Sequence, residues 1–208
     1  MVESKLIRQE SSSIAAKAGI NIPANLPLLD EKVSLRSVSE GTARLLSLTA
    51  IGATSYGFDK AKAREWLKQE KLVNSLTMPE SDFLLLGKGA PKTFQIQIEA
   101  MWAIAWALGF VGELNFWKDC DNRFATMLPN LKTSQSGEDW RRRAKMRTVN
   151  EVFSACDLAY CLHWAVRQAQ LEGKIPPGQL KAYVVEERRR ALEWLLSDCS
   201  WDAVNLDT

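Results

Sequence analysis

The sequence predicts an all-α protein: a single globular helical domain with two buried central helices, spanning residues 1–208. Three observations predict it. Apolar residues recur at helical spacing along most of the chain, and no polar–apolar alternation of four or more residues interrupts them. Reciprocal capping pairs, Ser37 with Glu40, Thr77 with Glu80 and Thr148 with Glu151, mark three helix starts. The eight tryptophans fall mainly at spacings that bury them between helices, which a single all-α core explains.

Taken in order, residues 3–18 form a first helix with Leu6, Ile7, Ile14 and Ala15 inward, stopped by Gly19. The next stretch, NIPANLPLLDEKVSL, has two prolines and no period, so the first 36 residues are partly an extended arm. Ser37 starts a helix over 38–56 and Gly57 stops it. Asp59 caps a strongly amphipathic helix over 60–73. Thr77, with Pro79 in the first turn, begins a short helix to Leu86.

After Gly87, Gly89 and Pro91 comes the first buried helix, 92–108, apolar on all sides from Ile98 onward. Its one carboxylate, Glu99, shares a face with Trp102 and Trp106. Between 115 and 131 only a short helix near 122–127 is expected, followed by a polar loop over 133–137. A basic turn of helix over 139–146 leads into the second buried helix, 148–174, about seven turns at roughly 3.6 residues per turn. It is apolar nearly all round, as a central helix is. Pro176, Pro177 and Gly178 make a turn, and 180–197 is the last long helix. Trp201, Val204 and Leu206 in the tail are apolar enough to pack.

Composition narrows the function. With 46% hydrophobic and 25% charged residues the chain has the make-up of a globular protein. A net charge of +2 gives no ground for nucleic acid, a membrane or an acidic partner. The longest apolar run, 100–112, is too short to span a bilayer, and the polar N-terminus lacks the core of a signal peptide, so a cytoplasmic protein is expected. The four cysteines form no C-x-x-C pair, and Cys156 and Cys161 diverge on one helix. They are read as reduced thiols serving as small apolar residues.

The sharpest constellation is the stripe Asp157, Tyr160, His163 and Arg167, aligned by steps of three and four, together with Glu99 on the other buried helix. Charges inside apolar helices must find partners. Two readings stand. One is a buried polar network that fixes the register of the central helices, with Arg167 as a buried pair member. The other is an acid–base pocket at Glu99, His163 and Arg167, with His163, the only histidine, titrating. No nucleophile or metal set accompanies the histidine, which weighs toward the first. No catalytic residue, metal or cofactor is assigned. His163 and Cys161, two apart on a helix, cannot reach one ion.

The glycines of LLLGKGAPK lack the Lys-Ser/Thr ending of a phosphate loop and suit a helix boundary. A basic patch of Arg141, Arg142, Arg143, Lys145 and Arg147 stands beside Trp140, and Arg188–Arg190 form a second cluster. Neighbouring acids, Glu138, Asp139, Glu186 and Glu187, favour solvated faces with local ion pairs over a weak nucleic-acid contact.

At the second central helix the sequence resembles a known family. DLAYCLHWAVRQAQLEGK, a following VEERRRALEWLL and a closing WDAVNLDT are similar to an uncharacterised bacterial family, domain of unknown function number four-two-seven-two. NIPANLP, SLRSVSEGTARLLSL and AMWAIAWALGFVGEL extend the resemblance over nearly the whole chain. Residues matching its signature are Trp102, Trp106, Asp157, His163, Trp164, Arg167, Trp194, Trp201, Asp202, Asp207 and Thr208. Tyr160–Cys161 departs from it, standing where an aromatic and a basic residue are expected. The resemblance implies an α-helical cytosolic domain and no established activity. The function expected first is a non-catalytic protein-binding module with a protein partner, an immunity protein against a toxin being the role such families suggest. An enzyme at the Glu99/His163/Arg167 pocket and a nucleic-acid binder through Arg141–Arg147 remain as alternatives.

Overall fold

A computed structural model describes residues 2–208, and among these the regular structure is helical, with no strand. Ten α-helices follow one another: α1 (Ser4–Lys17), α2 (Val38–Ser55), α3 (Lys60–Gln69), α4 (Met78–Leu86), α5 (Pro91–Gln95), α6 (Ile98–Ala107), α7 (Phe124–Met127), α8 (Glu138–Arg143), α9 (Val149–Leu171) and α10 (Ala182–Leu195). All three capping boxes form, at Ser37/Glu40, Thr77/Glu80 and Thr148/Glu151, and the Asp59 carboxylate accepts from the Lys62 amide. Gly87 ends α4 in the left-handed region at φ 69°, a conformation glycine adopts without a Cβ penalty, so the glycines there close a helix. No helix among the described residues is long and apolar enough to cross a membrane.

Three boundaries differ from expectation. The helix expected over 92–108 is divided into α5 and α6, because the turn tightens at Ile96–Gln97: the Glu99 amide donates to the Ile96 carbonyl at 3.1 Å, a three-residue step. The helix expected to reach 73 ends at Gln69, with Lys71 at φ 59° and a 3₁₀ turn over Val73–Ser75. The basic segment does not run on into α9. Ala144 turns extended at ψ 131°, and the Lys145 amide donates to the Leu108 carbonyl at 3.0 Å.

Contacts divide the chain into two compact units whose segments alternate along the sequence, which is why no linker marks the division. The first unit holds the chain up to Arg36, Glu113–Asp119, and everything from Arg147 onward. Its core helix is α9, with α1 and α10 packed against it, and Val152, Phe153, Cys161, Leu162 and Val166 fully shielded. Irregular segments complete this unit: the arm of residues 18–36, the loop 113–119 and the tail after α10.

The second unit comprises Ser37–Gly112 and Cys120–Met146. Here α2 is central and packs on α3, α5, α6 and α8, burying Leu45, Leu46, Leu48 and Ile51. α6 is apolar on nearly every side, and four alanines, Ala100, Ala103, Ala105 and Ala107, are completely buried along it. Within this core Arg44 meets Glu80 through two bonds, 3.0 Å from Nη1 to Oε2 and 2.5 Å from Nη2 to Oε1. Glu80 also accepts from the Thr77 amide, so one carboxylate closes a helix cap and neutralises a buried guanidinium.

Glu80→Ala leaves that guanidinium buried and opens the cap of α4, and it is expected to lower stability by about 3–5 kcal/mol in urea unfolding. A loss below about 1 kcal/mol would mean the pair carries no such constraint.

Candidate functional site

The polar stripe on α9 is engaged by arginines from α1 and α10, in two groups on either side of Tyr160. On one side Arg8 of α1 meets Asp157. Its Nη2 lies 2.7 Å from Oδ1, and its Nε lies 3.2 and 3.1 Å from the two carboxylate oxygens. The same guanidinium donates from Nη1 to the Leu26 carbonyl at 2.9 Å and from Nη2 to the Pro27 carbonyl at 3.0 Å. It thereby pins the arm, whose Ile22, Leu26 and Leu29 pack with Tyr160, Cys161 and Trp164 of α9. Arg8 was not foreseen from the sequence. The steps Ser4, Arg8, Ser11, Ala15 place it on the buried face of α1, which is the signal that finds it.

On the other side Arg189 of α10 donates to four acceptors. Nε reaches Glu193 Oε1 at 3.1 Å, Nη1 reaches His163 Nδ1 at 2.8 Å and the Leu206 carbonyl at 2.9 Å, and Nη2 reaches the Asp207 carbonyl at 3.0 Å. Both guanidiniums lie over the Tyr160 ring, Arg8 at 5.4 Å and Arg189 at 4.7 Å from its centroid. Burial pushes the Tyr160 phenol up in pKa against the pull of these two cations, so it stays protonated.

Arginine nitrogens only donate, so His163 Nδ1 accepts and the ring proton sits on Nε2. That Nε2 is buried and makes no short, well-aligned hydrogen bond. It points toward Glu186, whose Oε1 stands 3.5 Å away, too far to close a good hydrogen bond. The His163 ring, with Arg167 and Arg190, holds the Glu186 carboxyl below its usual pKa.

Two more arginines in this unit tie irregular chain in the same manner. Arg36 stacks on Trp194 at 4.4 Å and donates to the carbonyls of Trp194 at 2.8 Å and Cys199 at 2.6 Å. Arg188 donates to the carbonyls of Asn115 and Lys118. Arg188 and Arg189 are 1% and 3% exposed, which corrects the expectation of a solvated basic face there. Their steps from Val184 and Val185 to Ala191 and Leu192 put both on the buried side of α10.

The remaining expected site residues lie elsewhere. Arg167 is exposed and donates to Gln170 at 3.0 Å, so it is no buried pair member: α9 runs out into solvent around it. Glu99 belongs to the second unit, where it is buried and accepts from the Cys120 amide at 2.9 Å. In the basic patch Arg141 pairs with Glu70 at 2.5 Å, Arg142 and Arg143 with Asp139 at 2.7 and 3.1 Å, and Arg147 with Glu151 at 3.0 Å, while Lys145 is exposed. The four cysteines are free thiols; burial pushes Cys156 well up and Cys161 to about 12, so neither supplies a thiolate at neutral pH.

Nothing in the sequence signals a cleft of about 870 Å³ in the second unit between the C-terminal half of α2, the start of α6 and residues 125–132. Its floor is apolar, built from Ala53, Phe94, Ile98, Met101 and Leu131. Tyr56, 68% exposed, stands at its mouth, and the exposed Lys62 and Lys132 lie on its rim with Asp59. Of the polar side chains that line it, Thr49 Oγ1 donates to the Leu45 carbonyl at 2.8 Å, Gln95 to the Ser55 carbonyl at 2.9 Å and Thr126 Oγ1 to the Arg123 carbonyl at 2.7 Å, while Asn130 Oδ1 accepts from the Lys132 amide at 3.0 Å.

Fold and sites together define an all-α protein of two helical units, one drawn together by buried guanidiniums and one carrying an open apolar cleft. The sequence matches the family described as Domain of unknown function (DUF4272) over residues 7–204, and the chain belongs to that family. No curated protein and no solved structure matches it.

Asp157→Ala strands the Arg8 guanidinium and is expected to cost about 3–5 kcal/mol in urea unfolding, whereas Arg167→Ala stays within about 0.5 kcal/mol of the parent. The reverse order would place the buried charge pair at Arg167 instead.

Proposed function

We propose that this protein is a non-catalytic protein-binding module of the cytoplasm, and that the cleft of the second unit holds an apolar, acid-flanked segment of a partner protein. The lining of the cleft carries this reading. A small-molecule site has a few polar groups converging on its ligand to fix orientation. Here Thr49 and Gln95 are turned onto the protein's own carbonyls, leaving an apolar floor. Such a floor accepts aliphatic or aromatic anchors, and Met101 can adapt to their shape.

The rim supports the choice of partner. Lys62 and Lys132 are exposed, while the Asp59 carboxylate is engaged in capping α3, so the mouth favours acidic residues beside the anchor. Free cysteines suit a reducing compartment. Within this class we assign the role of an immunity protein, which silences a toxin by occupying it and needs stoichiometric affinity in place of chemistry.

Ala53→Trp fills the cleft from a partly exposed helix position, and its effect tests the reading. Tagged parent protein should retain one stoichiometric protein from its host's lysate with micromolar affinity or better, and the purified pair should weaken about tenfold or more with Ala53→Trp. Charge reversal at Lys132 should weaken it further at low salt than at high salt. Equal retention by parent and Ala53→Trp, with both folded, would overturn the assignment.

A further inference from the structure

A second pocket, in the first unit, differs in kind from the cleft. It has a volume of about 470 Å³ and is lined by residues from the last turns of α9, the second turn of α10 and the segment 206–208. Beside Thr208, its donors and carboxylates are set against each other. Arg167 and the ring of His163 supply donors, and Glu186 and Asp207 supply carboxylates. Leu171, 78% exposed, forms an apolar edge.

The position of Arg189 decides what His163 can present to this pocket. Its guanidinium occupies Nδ1, so the ring turns a proton, and no lone pair, toward the pocket side. A metal ion would need that lone pair. An acceptor atom suits the donor, and His163 is 3% exposed with Nε2 meeting only Glu186 Oε1, at the long distance of 3.5 Å. A simple anion would meet the carboxylates of Glu186 and Asp207, and a simple cation would meet the guanidinium of Arg167. A ligand carrying both charges matches His163 and Arg167 with an acceptor and Glu186 and Asp207 with a cation. The volume lies within the roughly 300–1,000 Å³ of small-ligand pockets.

We propose that this pocket binds a small zwitterion, a free α-amino acid or a compound with a carboxylate beside a primary ammonium. The carboxylate accepts from His163 Nε2 and Arg167, and the ammonium is held between Glu186 and Asp207. Glu186 is drawn off His163 when the ligand enters, and Arg167, exposed on its helix, swings to meet the carboxylate.

The single histidine gives a direct readout. The ¹⁵N-labelled full chain is titrated with each of the twenty free amino acids, with acetate and methylamine as half-ligands, and the His163 imidazole signals are followed by NMR. At least one amino acid should shift them saturably. Its affinity should fall about tenfold or more in both Glu186→Gln and Arg167→Gln, and acetate and methylamine should bind about tenfold more weakly or not at all. The proposal is overturned if no amino acid moves the signals up to about 10 mM. It is equally overturned if the shift survives in both variants, or if acetate alone reproduces it. Ala53→Trp should leave the titration unchanged, so this result and that of the cleft are read separately.

Discussion

A buried guanidinium is tolerable only when most of its five N–H groups find acceptors, and α9 is held in place by two that each engage four of them. Arg8 divides its donors between the Asp157 carboxylate and the carbonyls of Leu26 and Pro27. Arg189 divides its own among Glu193, His163 and the carbonyls of Leu206 and Asp207. Both guanidiniums lie within cation–π distance of the Tyr160 ring. The irregular arm and tail form few backbone bonds of their own, and buried carbonyls must be matched. Arginine is suited to this because its planar fork reaches two acceptors at once and stays charged when buried. Arg36 and Arg188 repeat the device at the segment after α10 and at the loop 113–119.

The second unit uses buried charge more sparingly. Arg44 meets Glu80 and Glu99 meets the Cys120 amide, both to hold helices and a loop in position. Around them α2 and α6 bury small and aliphatic side chains, and the cleft opens beside the C-terminal half of α2. The two concavities therefore differ in chemistry. One has an apolar floor with lysines at its rim, and the other sets donors against carboxylates around a buried imidazole. Geometry, more than fold class, separates a surface for protein anchors from a site for a small charged ligand.

Most helices were legible because their signals are local. The side-chain and backbone atoms of a capping box lie within four residues of each other, and Ser37, Thr77 and Thr148 each open a helix where expected. The need of Asp157 for a partner was legible too, since a carboxylate on an all-round apolar helix cannot stand alone. Its partner was not, because Arg8 lies 149 residues away and nothing local ties the two. Arg188 and Arg189 were misread for a related reason: adjacent Glu186 and Glu187 suggested a solvated face, while the steps from Val184 and Val185 pointed inward. Tightening of the chain at Ile96–Gln97 leaves both residues in the right-handed helical region and so carries no compositional mark. The cleft is formed by segments distant in sequence, and periodicity is blind to it.

The measurement that tests this account most directly is limited proteolysis of a protein in which Arg8→Met and Asp157→Leu are combined. Replacing a buried pair by apolar residues of similar volume is often neutral for stability, so the helices should remain. If the guanidinium is what holds the arm, residues 20–29 should be cut by thermolysin about tenfold faster while helical content and unfolding midpoint stay near the parent's. An arm as resistant as the parent's in that folded variant would contradict the account and assign its order to the packing of Ile22, Leu26 and Leu29 alone.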